Sequence, residues 1–423
     1  MAEENHALGS SRSPGINEIF DSFVTSKIFV TREPLSENYT PKKFLYRELE
    51  AKFLAKIVAP ALQGGTPSNV LITGQVGTGK TAVIKYVLSK LEKKSKEKGL
   101  TTPVQFCYVN CRILRGEYKI VFELCKQLGI NAPSTGISFG ELFSRFADGV
   151  DSEKRILIIV LDELDTFVEE RGCDLIYNLT RVKLVKSKLS MIGIGNNMSL
   201  QEWIDARTLS TLRAETIEFE PYEAGQIIEI LNQRAESAFW EGVLKDGVVN
   251  LCSALAKNQG GDMRLALTLL SVAGECAVRN NASFVTQNHV REAERNVEHD
   301  RTVDIIQHLS DSEKIVIFSA LVLDEANGGC FHNGGDFPIR KLYKKHQQVR
   351  RKLRMDPLTE RRILQLVSQL AARGLLDAHV KSLGRDGRMT KVTLGIPPTV
   401  IRSALGEDFL VGRFIKEKLL FWI

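Results

Sequence analysis

The sequence has little of what marks secreted, membrane-spanning or disulfide-stabilised proteins. Its seven cysteines form no C-x-x-C pair and have no histidine at zinc-site spacing, so buried thiols in a reducing compartment are expected. A zinc site at Cys107 and Cys111 would need two further ligands nearby, which makes it the weaker interpretation. The longest apolar stretch, Ile156 to Leu161, is far too short to cross a bilayer. Met1-Ala-Glu-Glu-Asn lacks a basic region followed by an apolar one, so we expect no secretory signal and a cytoplasmic location without membrane contact.

Aromatic residues are scarce at 7%, and neither sign of charge dominates, because 57 Lys and Arg stand against 51 Asp and Glu. A length of 423 residues exceeds one typical core and predicts two or three domains. The charge is unevenly placed, however: residues 301–423 carry 21 basic and 13 acidic residues, and residues 1–300 carry 36 and 38. A basic C-terminal module suggests a polyanion partner, most simply DNA, and a generally solvated basic surface is the alternative.

A complete G-x-x-x-x-G-K-[ST] phosphate loop follows the apolar run Val70-Leu71-Ile72 and opens a segment with helical periodicity. This strand–loop–helix context is what the motif needs to work. Backbone N–H groups of the loop turn inward around phosphates, the lysine reaches the β- and γ-phosphates, and the threonine ligates Mg²⁺. The loop residues are Gly74, Gln75, Val76, Gly77, Thr78, Gly79, Lys80 and Thr81. The motif predicts binding of ATP or ADP with Mg²⁺.

A second motif ends the apolar run that begins at Ile156, with Asp162 and Glu163 at its carboxyl end. A buried strand of a parallel sheet would place both carboxylates at the edge that faces the phosphates. Asp162 would then hold Mg²⁺, and Glu163 would polarise the water that attacks the γ-phosphorus.

Two further elements fit the same site. Asn196 ends another apolar run and could orient water near the γ-phosphate, although Gly-Asn alone is only a turn signal. Gly260-Gly261-Asp262 precedes a helical pattern, which predicts Asp262 as the N-cap. Arg264 in the first turn opposes the helix dipole, so it either points at a phosphate or faces solvent.

The chain alternates short apolar strands with helical patterns up to about residue 225, which predicts a parallel α/β sheet in three layers. The predicted strands are Val70–Thr73, Gln105–Asn110, Arg155–Leu161, Ser190–Ile194 and Thr216–Phe219. Only helical patterns follow, which predicts a helical lid. The expected organisation is a flexible tail at 1–27, a nucleotide-binding domain at 28–222, the lid at 223–300 and a winged-helix domain at 301–423.

The C-terminal region resembles a winged helix in its pattern. Asp311-Ser312 is expected to cap one helix, and Asp356-Pro357 is expected to place proline at the first position of another. An apolar face at helical spacing then predicts a recognition helix, with Gly374 placed to end it. The opposite face holds residues that hydrogen-bond phosphates and base edges, namely Arg361, Arg362, Gln365, Ser368 and Gln369.

A hairpin with a glycine-rich tip is expected after this helix. Arg385 and Arg388 lie at the tip, and Lys381 and Lys391 lie at its base. Arginines in this position suit a narrow minor groove or its phosphates, and a charged solvent loop is the alternative. Because winged helices also contact proteins, the fold alone does not establish DNA binding.

Together the four nucleotide motifs resemble those of the AAA+ ATPases, with Asn196 as sensor 1 and Arg264 as sensor 2. The resemblance extends to archaeal replication initiators similar to origin recognition complex subunit one and cell-division-cycle six proteins, and it runs from about residue 28 to 405. It rests on Asn38-Tyr39-Thr40-Pro41, Leu45-Tyr46-Arg47-Glu48, Tyr108-Val-Asn110-Cys111, Asp205-Ala-Arg207 and Pro221-Tyr222. The family usually has histidine where Tyr46 stands.

The resemblance implies site residues and partners. Tyr39, Pro41, Arg47 and Tyr222 would lie around the nucleotide, and Arg207 would be an arginine finger, with a plain surface arginine as the alternative. An insertion before the acidic strand, at residues 132–145, would also contact DNA, and a structural turn followed by a packing helix is the alternative. The implied function is binding of duplex origin DNA, association with other initiator subunits and help in loading a replicative helicase, with slow ATP hydrolysis as a switch and a nucleoid location. The alternative is a signalling or remodelling AAA+ ATPase whose winged helix contacts protein.

Overall fold

The computed structural model describes residues 27–37, 39–41, 44–98, 102–326, 336–382 and 388–416. Several sequence predictions therefore lie outside the described residues: the tail up to residue 26, Asn38 of the entry segment, and Arg385 of the wing tip.

A five-stranded parallel sheet forms the centre of the first part of the chain. Its strands are β1 (Val70–Gly74), β2 (Val104–Asn110), β3 (Ile156–Asp162), β4 (Lys188–Ile194) and β5 (Glu215–Phe219). They lie in the order β2-β3-β4-β1-β5, and all neighbours run parallel. All five predicted strands are confirmed, each with boundaries within two residues.

The sheet is covered on both faces. Every residue of β3 is buried. Ile156, Ile158 and Val160 join one core cluster, and the residues that alternate with them join another. Because successive side chains of a strand point to opposite faces, this division requires packing on both sides. The predicted three-layer architecture is confirmed.

Helices precede and connect these strands. They are α1 (Glu48–Val58), α2 (Lys80–Glu97), α3 (Cys111–Leu114), α4 (Glu117–Gln127), α5 (Phe139–Asp151), α6 (Leu164–Arg171), α7 (Asp174–Arg181), α8 (Leu200–Trp203) and α9 (Ala206–Leu212), with 3₁₀ turns at Glu33–Leu35 and Ala59–Gln63. Ser138 caps α5 by accepting from the Glu141 N–H at 3.2 Å. Helix α5 buries Leu142 and Phe146 in the core, so the helical signal from residue 139 is confirmed as a packed helix.

A helical lid follows the sheet within the same compact unit. It contains α10 (Ala224–Ala238), α11 (Val248–Asn258) and α12 (Met263–Arg279), and α13 (Gln287–Gln307) comes next. Glu223 and Gln226 form a capping box at the start of α10. The segment before the sheet joins the lid, because Phe29 forms an antiparallel bridge with Phe239. The boundary between the two compact units of the chain falls after Ala293, within α13.

The second unit has the element order of a winged helix. Its helices are α14 (Asp311–Ala326), α15 (Ile339–Lys352), α16 (Glu360–Ala372), α17 (Pro398–Leu405) and α18 (Gly412–Lys416), and its strands are β6 (Phe337–Pro338), β7 (Leu376–Ser382) and β8 (Arg388–Leu394). The strands form an antiparallel sheet in the order β6-β8-β7. The predicted fold of this region is confirmed.

Two helix starts in this unit differ from the prediction. Ser310 caps α14: its Oγ accepts from the Glu313 N–H at 3.4 Å, and its own N–H donates to the Glu313 carboxylate at 2.9 Å, so the cap lies one residue before the predicted Asp311. Thr359 caps α16, and Pro357 therefore lies before the helix and not at its first position. Both threonine and serine bind a backbone N–H two or three residues ahead, which decides where the first turn begins.

None of the helices in the described part of the chain combines the length and apolar character needed to cross a membrane.

Candidate nucleotide site and nucleic-acid interface

A cavity of about 480 Å³ lies at the carboxyl edge of the sheet, beside the lid helices α10 and α12. Its lining brings together most of the predicted nucleotide residues, although they come from segments far apart in the sequence. Those in the lining are Tyr39, Pro41, Val76, Gly77, Thr78, Gly79, Lys80, Thr81, Asp162, Glu163, Asn196, Tyr222 and Arg264. Parallel strands place their carboxyl ends at one edge, which explains why the loop and the acids meet.

Lys80 is held by the loop that carries it. Its Nζ donates to the backbone carbonyls of Gly74 at 2.6 Å and Gln75 at 2.7 Å. Burial lowers the pKa of Lys80 to about 8, against the opposing effect of Asp162. Gly74 and Gln75 were predicted to contact the nucleotide, but neither belongs to the lining formed by the described residues, and they act through their carbonyls on Lys80. A phosphate anion beside Lys80 would supply the counter-charge that favours its protonated form.

Asp162 is the centre of a hydrogen-bonded group. Its Oδ2 accepts from the Thr81 hydroxyl at 2.8 Å and from the Tyr108 hydroxyl at 2.5 Å. Its Oδ1 accepts from the Glu163 N–H at 2.8 Å. Burial and the hydrogen bond to Asp162 raise the pKa of Tyr108. The two predicted Mg²⁺ ligands are therefore adjacent, and Tyr108 is a further contact that sequence reasoning did not assign.

Glu163 takes a left-handed backbone conformation, with φ of 53°, at the end of β3. This turn directs the chain into α6 and leaves the carboxylate in the cavity lining. Arg112 on α3 approaches it at 3.5 Å. Both side chains are partly exposed, so the pair contributes little to stability.

The turn that carries Asn196 is fixed by an aspartate that the sequence analysis left without a role. Asp165 Oδ2 accepts from the N–H groups of Asn196 at 2.9 Å and Asn197 at 3.0 Å. Asp165 is buried on α6, next to the acidic pair. Its hydrogen bonds position the residue predicted to be sensor 1.

The lid touches the phosphate loop directly. Asp262 caps α12 by accepting from the N–H of Arg264 at 2.9 Å, as predicted. The Met263 N–H donates to the Gly77 carbonyl at 3.3 Å. Gly77 has φ of +79°, and a Cβ there would lie 1.8 Å from Asp262 Oδ1, so only glycine fits. This contact places Arg264, in the first turn of α12, in the cavity lining.

Arg47 has a different set of contacts from the predicted one. Its Nε donates to the Thr78 carbonyl at 3.0 Å, one Nη donates to Glu50 at 2.9 Å, and the other donates to the Glu220 carbonyl. The guanidinium lies 4.1 Å from the Tyr222 ring centroid. Arg47 is buried and stands outside the cavity lining formed by the described residues. Its side-chain donors are occupied by acceptor atoms of the protein. Arg47 therefore joins the phosphate loop to the end of β5.

Arg207, the predicted arginine finger, lies at an exposed position of helix α9. It pairs with Asp174 at 3.2 Å and stacks over the Tyr177 ring, 3.9 Å from the centroid. Asp205 caps α9 by accepting from the Thr208 N–H at 2.8 Å. Arg207 does not belong to the cavity lining formed by the described part of this chain.

Arg234 is a lining residue that sequence reasoning missed. It is buried on α10, and its guanidinium lies 4.6 Å from the Tyr39 ring centroid. The spacing of buried residues on α10 would have predicted it as a core-facing position, but its charge made a surface role the default expectation.

In the second unit, α16 has the predicted two faces. Ile363 and Leu370 are buried, while Arg361, Arg362 and Gln365 are exposed. Arg362 donates to Gln365 at 2.6 Å, which holds the two side chains together on the outer face.

The hairpin predicted as the wing is formed by β7 and β8. Lys391 at its base donates to both carboxylate oxygens of Asp336, at 2.6 and 2.7 Å, and its side chain is 19% exposed. The Lys391 ammonium is therefore occupied by an ion pair within the protein. Lys381 is paired with Met389 and Arg388 is paired with Ser382 in the hairpin. The side chains of Lys381 and Arg388, like all of Arg385, lie outside the described residues.

Helix α15 carries a basic face that the sequence analysis counted but did not assign. Its exposed cations include Arg340, Lys341, Lys344 and Arg351. Their spacing places them along one side of the helix. The charged residues of this helix are all positive, which suits phosphate contacts.

The sheet order, the phosphate loop beneath a helical lid, and the winged helix define a nucleotide-binding AAA+ protein. Three family models match in the same order: an AAA domain at residues 63–204, a Cdc6 AAA+ ATPase-type lid domain at 228–295, and a CDC6 C-terminal winged helix domain at 304–404.

The chain is similar to curated proteins over nearly its whole length. It is 38% identical to an ORC1-type DNA replication protein of Thermococcus kodakarensis over 93% of this chain and 94% of that one. It is also 38% identical to ORC1-type DNA replication protein 1 of Methanosarcina mazei, over 96% and 97% of the two chains. The chain belongs to the family of archaeal ORC1-type DNA replication proteins.

Solved structures agree with this assignment. The Aeropyrum pernix ORC1 protein, described in complex with DNA, is 36% identical, covers 92% of this chain and 99% of its own, and has a TM-score of 0.80. The Aeropyrum pernix ORC2 protein, at 19% identity and a TM-score of 0.58 over 92% and 100% of the two chains, shares the fold.

Proposed function

We propose that this chain is an ATP-regulated replication initiator that binds duplex origin DNA and helps to load a replicative helicase. The family assignment supports a role in replication initiation. The nucleotide cavity supports regulation by ATP, and the basic faces of the second unit support the DNA contact. The domain boundaries at 28–222, 223–300 and 301–423 are part of the same proposal.

The cavity suits ATP or ADP with Mg²⁺. Backbone N–H groups of residues 76–81 and the Lys80 ammonium would bind the phosphates, and Arg264 would add a second cation from the lid. Thr81 and Asp162 would hold Mg²⁺, since their oxygens lie 2.8 Å apart; the ion neutralises phosphate charge. Glu163 would orient the attacking water, with Asn196 held beside it by Asp165.

Slow hydrolysis is the expected behaviour of an isolated subunit. Arg207 is exposed and lies outside the cavity lining formed by the described residues of its own chain. It would therefore reach the nucleotide of a neighbouring initiator subunit on DNA. In that arrangement nucleotide state acts as a switch.

The outer face of α16 is the proposed duplex contact. Arg361, Arg362 and Gln365 present hydrogen-bonding groups for bases and phosphates, and the cations of α15 add phosphate contacts. The relative described in complex with DNA, at 36% identity, supports DNA binding by this chain. The wing residues Lys381, Arg385 and Arg388 and the insertion at 132–145 are further proposed contacts, which would place the protein on the nucleoid.

The observation that carries the proposal is the exposed cationic face of α16, and it can be tested by fluorescence anisotropy with labelled duplexes across a salt series. Arg361→Ala/Arg362→Ala should weaken binding about tenfold or more and reduce the salt slope by up to about 2, because each phosphate contact contributes about 0.9. Lys93→Ala/Lys94→Ala removes the same charge from exposed positions of α2 and should leave binding within about twofold.

The outcomes separate the alternatives. No binding by the unaltered chain at low salt, with either nucleotide, would favour a signalling or remodelling ATPase whose winged helix contacts protein. Equal losses of DNA affinity in both double variants would show that only the net charge of the protein matters. That result would contradict a role for α16.

A further inference from the structure

Tyr108, near the end of β2, is held in place from three sides. Its hydroxyl donates to Asp162 Oδ2 at 2.5 Å. Its ring lies beneath the Lys85 ammonium of α2, with 4.3 Å between Nζ and the ring centroid. Its backbone N–H donates to Gln127 Oε1 at 3.1 Å, and its carbonyl accepts from Gln127 Nε2 at 2.9 Å. These contacts fix both the backbone and the hydroxyl of Tyr108.

The place of β2 in the sheet explains the contact with Gln127. β2 is an edge strand in the order β2-β3-β4-β1-β5, so its outer side has no strand partner among the described residues. The side-chain amide of Gln127, on α4, both donates and accepts, and at Tyr108 it takes the place of a neighbouring strand. The strand is therefore anchored to α4 at the residue that contacts Asp162.

The register of β2 and β3 explains why a residue as long as tyrosine is needed. Asn110 is the partner of Asp162, and Tyr108 is the partner of Val160, two residues earlier. Because residues two apart in a strand point to the same face, Tyr108 and Asp162 share a face and are offset by about 6.6 Å along the strands. A tyrosine side chain spans this offset, and a serine or threonine hydroxyl would fall short of the carboxylate.

The Tyr108 hydroxyl completes the set of donors around Asp162. Oδ2 accepts from the hydroxyls of Thr81 and Tyr108, and Oδ1 accepts from the Glu163 N–H. A carboxylate has about four lone-pair sites, so these bonds leave about one free and fix the plane of the group. Thr81 and Glu163 belong to the phosphate loop and the acidic strand end. Tyr108 brings a third donor from a strand outside both motifs.

We propose that Tyr108 is a positioning residue for Mg²⁺ in the nucleotide site, and that it acts through Asp162. Mg²⁺ demands near-ideal octahedral geometry, so a carboxylate that is already oriented binds it, or its water, better than one that can rotate. Outer partners of a ligating carboxylate have this effect in metal sites generally. The inference rests on the proposed nucleotide function and adds a residue of the edge strand to the magnesium site.

The test compares Tyr108→Phe with Tyr118→Phe in the full chain stripped of nucleotide. Tyr118 is a matched control: it is half-buried on α4, and its hydroxyl donates to the Pro133 carbonyl at 3.0 Å. It lies outside the cavity lining formed by the described residues. Each change removes one hydroxyl and one hydrogen bond, so a purely structural role predicts a similar small loss of Tm in both variants and no change in Mg²⁺ binding.

ADP binding is measured by calorimetric titration across a series of Mg²⁺ concentrations and in EDTA. Tyr108→Phe should raise the Mg²⁺ concentration at half effect about 10- to 100-fold, the usual result of losing an outer partner of a metal ligand. Its ADP affinity in EDTA should stay within about twofold of the unaltered chain, and Tyr118→Phe should match the unaltered chain in both conditions. Electron paramagnetic resonance with Mn²⁺ and ADP, which counts bound metal without hydrolysis, should show the same weakening.

Three other results would contradict the proposal in different ways. An unchanged Mg²⁺ dependence in Tyr108→Phe would leave Tyr108 with a packing role and overturn the inference. An equal loss of ADP affinity with Mg²⁺ and in EDTA would overturn it too, because Tyr108 would then contact the nucleotide itself. Both results leave the nucleotide function standing. Failure of the unaltered chain to bind ADP in any condition would overturn the nucleotide function, and this inference with it.

Discussion

At the scale of single residues, Arg47 shows how a charged side chain can serve the fold beside a ligand site. Its guanidinium joins the Thr78 carbonyl of the phosphate loop to the Glu220 carbonyl after β5. It also pairs with Glu50 and stacks near Tyr222. Planar geometry with several fixed donors suits these simultaneous contacts, and lysine cannot reproduce them.

We expect Arg47→Met to destabilise the first unit by about 3–5 kcal/mol, because it leaves Glu50 and two carbonyls without their buried partner. Arg47→Lys should be nearly as damaging. Denaturant unfolding measures the change, with Arg32→Met as a control, since Arg32 is half exposed and its ion pair with Glu275 is on the surface. Normal stability with weakened nucleotide binding would instead support the contact expected from the sequence.

The sequence could single out residues that belong to a local motif, and it could not anticipate contacts that depend on distant partners. Lys80 and Thr81 are recognisable from eight adjacent residues, and Asp162 from the strand that precedes it. Arg47 stays a predicted nucleotide contact, and its bond to the Glu220 carbonyl was not foreseeable because that residue is 173 residues away. Arg234 was missed because only the packing of α10 against the entry segment buries its charge.

At the scale of elements, the strands were predictable and the helix starts were less so. All seven residues of β3 are buried, and a strand that is covered on both faces requires an unbroken apolar run. This run made β3 recognisable in the sequence. Helix starts depend on which side chain reaches a backbone N–H, and Ser310 competes with Asp311 for that position. Moving the cap by about one residue changes the helix propensity of the segment very little. The contacts of the folded turn therefore decide which residue caps the helix.

Helix α15 carries a buried group that makes its packing sensitive to pH. His346 is fully buried, and neither ring nitrogen has a hydrogen-bond partner among the described residues. Burial, with a further contribution from Arg350, lowers the pKa of His346 to about 4. The unfolded chain binds this proton near pH 6.5, so the unfolded state takes up more protons between pH 6.5 and 4. The contribution of neutral His346 to stability is therefore fully present above pH 6.5 and declines as the pH falls from 6.5 to 4.

We expect protonation of His346 to lower the free energy of unfolding of the winged helix by about 2 kcal/mol between pH 7 and pH 5. His346→Leu should remove that part of the pH dependence, and His308→Asn, at an exposed position, should leave it unchanged. Urea unfolding at both pH values, followed through the second unit, measures the difference. An unchanged pH dependence in His346→Leu would mean that other groups titrate in this window.

At the scale of the whole molecule, the chain consists of two compact units, each with buried clusters of its own. Leu71 and Leu161 belong to a cluster of the first unit, and Phe318 and Leu342 belong to the cluster of the second. The phosphate loop and the lid lie in the first unit, and α16 lies in the second. Units with separate cores can unfold separately, so each ligand should stabilise the unit that holds its site.

Differential scanning calorimetry should therefore show two transitions that respond to different ligands. ADP at about 100 times its Kd should stabilise the first unit by about 2.7 kcal/mol and raise its Tm by several degrees, while leaving the second transition in place. Duplex DNA should move the second transition. Lys80→Ala should remove the response to ADP and keep the response to DNA. One cooperative transition that either ligand shifts as a whole would show instead that the two units unfold as one, and nucleotide state would then be coupled to DNA binding through the stability of the entire chain.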